Sequence, residues 1–147
     1  MYPKDEVFPA NEQELIVRRE GLTVAARTFL KSNPDALAIV YIGSVLFKRQ
    51  EEDKHFDTDF IVITKPEFTF TTEEVDVKMN QHLAMASEKQ HVNLPYADAY
   101  DVVKVHRPGE PVILGKFQRD YGNLVVGRTD AYFEKPSERI QFRINRY

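Results

Sequence analysis

The sequence predicts an α+β domain with a leading helix and a mixed β-sheet. Apolar residues recur at helical intervals near the N-terminus, two short unbroken apolar segments have the length of strands, and the remainder alternates between short strand and turn patterns. The chain has 147 residues, of which 42% are hydrophobic and 29% are charged. This length and composition are typical of one folded domain, so we expect residues 1–147 to form a single domain.

The first predicted element is a helix over about 12–31. Asn11 and Glu14 have the spacing of an N-cap residue and a carboxylate that reaches back to it. Leucine, alanine and phenylalanine side chains then follow at helical intervals (Leu15, Leu22, Ala26 and Phe29). The segment 32–34, Ser-Asn-Pro, ends the helix because proline disfavours helical backbone at the residue before it. The ten residues before this helix read as a loosely attached arm.

Two buried strands are predicted next. The segment 37–42 is continuously apolar and rich in β-branched residues, and 59–64 repeats that pattern after an acidic start. The first ends at Gly43-Ser44 and the second at Lys65-Pro66. The charged residues between them, 45–56, are expected to form a loop or a short exposed helix.

The rest of the chain predicts shorter elements. Val75, Val77 and Met79 alternate with Asp76 and Lys78, which predicts a third strand, and 81–90 has helical composition. A Pro-Gly turn between two apolar segments predicts a hairpin from 102–105 and 112–114. Further strands are predicted at 123–126 and 140–144.

Composition excludes several classes of protein. The chain contains no cysteine, which excludes a disulfide scaffold, thiolate catalysis and an iron–sulfur cluster. It has no apolar run near the roughly 20 residues that span a bilayer, and its N-terminus lacks the pattern of an export signal. We therefore expect no membrane association and a cytoplasmic location.

Acidic residues accompany the two buried strands. Gly43-Ser44 follows the first strand, Asp57 and Asp59 open the second, and Asp76 lies in the predicted third. Asp57 and Asp59 are two residues apart, so strand geometry places both carboxylates on one face. A close carboxylate pair is stabilised by a cation, and hard oxygen ligands favour Mg²⁺ or Mn²⁺. The glycine allows close approach of the backbone to a phosphate, and the serine hydroxyl can bind its oxygens.

This order of motifs resembles the nucleotidyltransferase superfamily that includes DNA polymerase beta, particularly its minimal members. The resemblance covers about 12–79, within a core of 11–90 that a strand-rich extension, 91–147, would follow. It implies that Gly43 and Ser44 bind the phosphates of a nucleoside triphosphate such as ATP, and that Asp57 and Asp59 bind two Mg²⁺ ions. A third carboxylate, Asp76, would complete one metal site and help to activate the acceptor; Glu73 or Glu74 takes this role if the third strand is shifted. Phe56 stands where many members have a small polar residue.

The activity that the resemblance implies is transfer of a nucleoside monophosphate to an acceptor hydroxyl. A second reading is a non-catalytic protein that docks a protein or nucleic acid on the same scaffold. A third is nucleic-acid binding through the C-terminal part, since residues 101–147 contain 9 Lys or Arg against 6 Asp or Glu.

Overall fold

The computed structural model describes residues 11–47, 56–113, 123–128 and 141–147. Two long helices and six strands follow one another along these residues: α1 (Glu12–Ser32), β1 (Ala36–Ile42), β2 (Thr58–Thr64), α2 (Thr72–Gln90), β3 (Ala97–Lys104), β4 (Pro111–Ile113), β5 (Leu124–Gly127) and β6 (Gln141–Arg143). A single 3₁₀ turn, Gly43–Leu46, follows β1. The predicted α+β class with a mixed sheet is confirmed.

The main sheet has the strand order β3-β2-β1-β5, and β4 pairs with β6 in a separate ribbon. Strand β1 runs antiparallel to both β2 and β5, whereas β2 and β3 are parallel. The connection from β2 to β3 passes through α2, as a parallel pair requires. The end of β1 and the starts of β2 and β3 therefore lie at the same end of the sheet.

The two faces of the sheet are covered differently. Both helices pack on one face, where their apolar residues join Ile39, Tyr41 and Phe60 in the larger core cluster. On the other face, Val112 of β4 and Ile144 close a smaller cluster over Val40 and other β1 and β2 residues. Strands β1 and β2 are buried on both sides, which explains why their sequences are almost continuously apolar.

The first helix and the first two strands match their predictions within one residue at each end. The Asn11 side chain accepts a hydrogen bond from the Glu14 backbone N–H at 2.7 Å, which confirms the N-cap. The strands predicted at 123–126 and 140–144 correspond to β5 and β6. Residues 48–55 of the charged connection and the first ten residues lie outside the described part of the chain.

The predicted third strand at 75–79 is wrong, because these residues belong to α2. Thr71 and Glu74 form a complete capping box at its start, with each side chain bound to the other's backbone. The buried side chains Val75, Met79 and Leu83 are four residues apart, whereas Val77 is 60% exposed. The apparent alternation of period two was therefore a short stretch of a helical pattern.

The predicted hairpin is also wrong, although its turn is present. Gly109 has a φ of 81°, and the Glu110 N–H donates to the Arg107 carbonyl at 3.3 Å, as expected for a turn with glycine at its third position. The strands on either side do not pair with each other, because 102–104 belongs to β3 in the main sheet and β4 pairs with β6. Within the described residues, no helix is long and apolar enough to cross a membrane.

Candidate functional site

The chain turns sharply where β1 meets the 3₁₀ turn. Gly43 has a φ of 79°, which side-chain-bearing residues rarely adopt, and a Cβ atom built on it would lie 3.0 Å from Oδ2 of Asp59. Gly43 therefore brings the backbone against the Asp59 carboxylate, with no room for a side chain between them. Ser44, the second residue of the same turn, is half-buried.

Three aspartates lie at this end of the sheet. Asp59 is aligned with Ile42 on β1 and with Asp98 on β3. Because side chains alternate along a strand and Phe60 and Ala97 pack toward the helices, Asp59 and Asp98 lie on the opposite face of the sheet, and Asp57 directly precedes β2. Asp59 is half-buried and Asp98 is exposed at the start of the edge strand.

Electrostatic repulsion couples these carboxyl groups. The pKa of Asp59 is raised from 3.8 to about 6, first by burial and then by the negative charges of Asp57 and Asp98. Burial and both neighbouring carboxylates thus disfavour the charged form of the half-buried Asp59. Such a donor set suits a hard divalent cation.

Asp76 does not occupy the position that the sequence suggested. It lies on α2, and its Oδ1 atom accepts a hydrogen bond of 2.6 Å from the Ala99 backbone N–H on β3. The charges that raise the pKa of Asp59 are those of Asp57 and Asp98. Glu74 belongs to the capping box, and Glu73 is exposed in the same turn of α2. Strand β3, the next strand after β2, contains Asp98 and Asp101, and Asp98 is the one aligned with Asp59.

Side chains of α2 fix the edge strand that carries Asp98. The Asn80 amide accepts from the Ala97 N–H at 2.7 Å and donates to the Ala97 carbonyl at 2.9 Å, and Asp76 binds the N–H of Ala99. These contacts satisfy backbone groups that would otherwise be exposed on the outer side of β3. They hold the backbone on both sides of Asp98.

Arg18 is a buried residue of the site that the sequence analysis missed. Its side chain is almost wholly buried, its Nη1 donates to the Val45 carbonyl at 3.1 Å, and its Nη2 forms an ion pair with Glu14 at 3.0 Å. Its guanidinium also lies 4.9 Å from the centre of the Phe56 ring. Arg18 thus ties α1 to both the turn after β1 and the residue before Asp57. A buried cation cannot be recognised from an isolated Arg-Arg pair in the sequence.

The described residues contain no preformed cluster of three or more His, Asp and Glu side chains with the geometry of a metal site. The carboxylates of Asp57, Asp59 and Asp98 are neighbours, and ion binding would have to draw them together. His55, which lies two residues before Asp57 in the sequence, is outside the described residues.

Comparison of the chain with protein-family models, with curated proteins and with solved structures found no match.

Proposed function

We propose that this protein is a magnesium-dependent nucleotidyltransferase that moves a nucleoside monophosphate from a nucleoside triphosphate to an acceptor hydroxyl. The observation that carries the proposal is the meeting of Asp57, Asp59 and Asp98 at one end of the sheet, where the charges of its two neighbours help to raise the pKa of Asp59. We keep the roles predicted for Asp57 and Asp59 and propose Asp98 instead of Asp76 as the third carboxylate.

The order of elements supports this assignment. The resemblance to the superfamily rests on a helix, a strand followed by Gly43-Ser44, a strand with Asp57 just before it and Asp59 near its start, and a later strand with an acid. With Asp98 as the third acid, the Gly43-Ser44 turn and the three acids lie at one end of the sheet. Asp76, which is bonded to the Ala99 N–H, instead positions the strand that carries Asp98.

Each residue has a distinct task in the proposed reaction. Gly43 brings the backbone of the turn against the metal ligand Asp59, and the Ser44 hydroxyl and nearby amides bind the oxygens of the triphosphate. Mg²⁺, when held by Asp57, Asp59 and Asp98, would neutralise triphosphate charge and polarise the reacting phosphate. The acceptor oxygen forms a bond to the α-phosphorus, the bond from that phosphorus to the bridging oxygen breaks, and pyrophosphate leaves. Asp98, the most exposed of the three acids, is placed to take the proton from the acceptor hydroxyl.

Catalysis on this scheme depends on position and charge neutralisation more than on covalent chemistry. Arg18 helps to position the site, because its contacts with Val45 and Phe56 hold the segments that contain the proposed phosphate and metal ligands. Asn80 helps to position Asp98, because its side-chain amide is hydrogen-bonded to the backbone of the preceding residue, Ala97.

The proposal is tested by nucleotide transfer. The protein is incubated with Mg²⁺ and each of the four α-labelled ribonucleoside triphosphates, with mixed RNA and protein as acceptors, and both label incorporation and pyrophosphate release are measured. We expect activity that Asp59→Asn and Asp98→Asn each reduce by about 100-fold or more, whereas Asp76→Asn retains most of it because an asparagine oxygen still accepts the Ala99 hydrogen bond.

Two results would contradict the proposal. Activity of Asp98→Asn equal to that of the parent would remove the third carboxylate from the mechanism. A ligand that binds only the folded state must raise the melting temperature. If the parent is inactive and Mg²⁺ with triphosphate at millimolar concentration does not raise its melting temperature, the result favours a non-catalytic docking protein over an enzyme.

A further inference from the structure

Two exposed tyrosines flank Asp98 at the edge of the main sheet. Tyr96 precedes Asp98 by two residues and is 61% exposed, and Tyr100 follows it by two residues and is 56% exposed. An aromatic ring has a large apolar surface, and covering that surface with a ligand is favourable. More than half of each residue is available for such a contact. Tyr96 and Tyr100 are called the tyrosine pair below.

Strand alternation places the tyrosine pair on the same face of the sheet as Asp98. The residues that alternate with them, Ala97 and Ala99, pack against the core beneath the helices. The pair and Asp98 therefore project from the opposite face. At a rise of about 3.3 Å per residue, the backbone of each tyrosine lies about 7 Å from that of Asp98, one on each side.

Backbone contacts hold the segment that displays Tyr96. The Tyr96 carbonyl accepts a hydrogen bond of 2.8 Å from the Thr58 N–H, so hydrogen bonding to β2 already includes this residue. The Asn80 side chain binds both backbone groups of Ala97, the next residue. Tyr96 is thus displayed from a fixed backbone, which is what a ligand-binding side chain requires.

Tyr100 is the extra residue at an irregularity of β3. The register between β2 and β3 shifts by one residue after Ala99, so Tyr100 has no residue opposite it on β2. Ala99 and Val102 both pack toward the helices, which leaves Tyr100 on the other face. Bulges of this kind re-aim a side chain and are over-represented next to active sites.

The tyrosine pair lies on the acceptor side of the candidate site. Gly43 and Ser44 follow β1, and β2 separates β1 from β3 in the sheet. Neighbouring strands are about 4.8 Å apart, so the turn proposed to bind the triphosphate lies roughly 10 Å from the edge strand. Asp98, the proposed proton acceptor, lies between the two tyrosines. A molecule whose hydroxyl reaches Asp98 is therefore within reach of the pair.

We propose that the tyrosine pair stacks on bases of the acceptor, and that the acceptor is the 3′ end of a single-stranded polynucleotide. This inference rests on the proposed function, because it names the acceptor of that reaction. Aromatic side chains on the face of a sheet form a sequence-tolerant platform for unpaired bases. A polynucleotide has a base on its terminal sugar and another on the preceding sugar, so it can use both rings. A sugar or a protein hydroxyl brings a base to neither.

The charges around the pair favour a polynucleotide over a protein partner. Asp98 lies between the two tyrosines, and Asp101, which is also exposed, directly follows Tyr100. The centre of a protein interface is depleted of charged residues, so rings interrupted by carboxylates do not suit one. Mg²⁺ at the proposed site would offset the charge of the carboxylates and allow the phosphates of a strand to approach.

The first test is binding, followed by the anisotropy of a 5′-fluorescein-labelled 10-nucleotide single-stranded RNA, and of the matching DNA, in Mg²⁺ without triphosphate. Tyr96→Leu and Tyr100→Leu should each raise the Kd by about fivefold or more, because each loses one stacked base. Tyr96→Phe and Tyr100→Phe keep the ring and should bind as the parent does. Phe70→Leu removes another exposed ring, between β2 and α2 at the opposite end of the sheet, and should also leave the Kd unchanged.

A second RNA, whose two 3′-terminal nucleotides lack bases, tests the contact itself. The parent should bind this RNA about fivefold or more weakly than the intact one. Tyr96→Leu and Tyr100→Leu should lose little further affinity for it, because the stacking partner is already absent. An equal loss on both RNAs would overturn the stacking contact. Circular dichroism melting of each variant shows whether weaker binding comes from unfolding.

Kinetics separate the acceptor from the triphosphate. In the transfer reaction, Tyr96→Leu and Tyr100→Leu should raise the KM for RNA by about fivefold or more and leave the KM for the triphosphate unchanged. A rise confined to the KM for the triphosphate would place the pair against the incoming base and overturn the proposal.

The binding and transfer results are independent of each other. RNA binding that depends on the tyrosine pair, in a protein without transfer activity, would support the stacking surface and reject the proposed enzyme. Transfer activity with unchanged Kd and unchanged KM for RNA in both leucine variants would support the enzyme and overturn the stacking surface. Absence of binding of both RNA and DNA by the parent would overturn it as well.

Discussion

Replacement of Asp59 by asparagine should stabilise the metal-free protein, although it removes a residue of the proposed site. The pKa of Asp59 is raised from 3.8 to about 6 because burial, Asp57 and Asp98 all disfavour its charged form. At neutral pH the folded protein therefore contains a carboxylate that is less stable than in the unfolded chain. Asparagine has nearly the same shape and no charge, so it relieves the repulsion.

The size of the effect follows from the pKa. A rise from 3.8 to about 6 corresponds to at most ~3 kcal/mol. Because Asp59 is only half-buried, solvent screening reduces this to about 1–2 kcal/mol. For a domain of this length, that gain in the free energy of unfolding raises the melting temperature by about 3–8 °C.

The same pKa shift also predicts how the effect of the substitution depends on pH. A carboxyl whose folded-state pKa is raised contributes fully to stability below its unfolded pKa and loses that contribution as the pH rises through the folded value. The parent and Asp59→Asn should therefore be about equally stable near pH 3.8 and diverge up to about pH 6, with the variant more stable above that.

The assay is urea unfolding at several pH values in EDTA, with Asp76→Ala as the contrasting variant. Asp76→Ala removes the acceptor of the Ala99 N–H and should lower the free energy of unfolding by about 1–2 kcal/mol. Addition of Mg²⁺ should stabilise the parent more than Asp59→Asn. The reasoning is refuted if Asp59→Asn is less stable than the parent at pH 7.5, or if its advantage does not change between pH 4 and pH 7.

Three other substitutions test separate parts of the structure. Gly43→Ala forces a side chain into left-handed backbone 3.0 Å from the Asp59 carboxylate, and should cost about 1–2 kcal/mol in urea unfolding and most of the nucleotide binding; unchanged stability would contradict that backbone conformation. Arg18→Gln leaves the Val45 carbonyl without its buried charged donor, and should lower the melting temperature by several degrees and reduce transfer activity; a melting temperature equal to the parent's would show that this contact is weak. The hydroxyl of Thr64 is buried with no hydrogen-bond partner among the described residues, so Thr64→Val should raise stability by about 1 kcal/mol in thermal or urea unfolding, and destabilisation would reveal a missing partner.

Elements with strong local signals were predictable from the sequence. The first helix has a capping residue and a helical apolar period, and β1 and β2 are continuously apolar because both of their faces are covered. Gly43, which ends the first strand, was identified from its position, and its φ of 79° explains why a glycine stands there. In each case a short segment contains the information that determines its structure.

The third strand was predicted wrongly because a short alternating pattern was given more weight than the longer helical pattern around it. Val75 to Met79 alternates over five residues, but the capping box at Thr71 and Glu74 and the later position of Leu83 indicate a helix over a longer window. The hairpin was predicted wrongly for another reason. A turn sequence specifies the turn but not which strands pair on either side of it. Pairing of β4 with β6 joins residues that are about 30 positions apart.

Asp98, the proposed third acid, was the least predictable member of the candidate site. Asp98 lies in Ala-Asp-Ala-Tyr, a segment with no β-branched residue, and its alignment with Asp59 comes from a parallel pairing across 38 intervening residues. Edge strands need less apolar surface than central ones, so their sequence pattern is weak. The one available signal was topological: once 72–90 is assigned to a helix, the next acid on a strand is Asp98.

The central claim is that Asp57, Asp59 and Asp98, without Asp76, form one divalent-cation site. The most direct measurement is calorimetric titration of the parent, Asp98→Asn and Asp76→Asn with Mn²⁺ in the presence of a non-hydrolysable triphosphate. The account predicts that Asp98→Asn weakens Mn²⁺ binding by about tenfold or more and that Asp76→Asn binds as the parent does. Equal binding by Asp98→Asn and the parent, or a loss confined to Asp76→Asn, would contradict it.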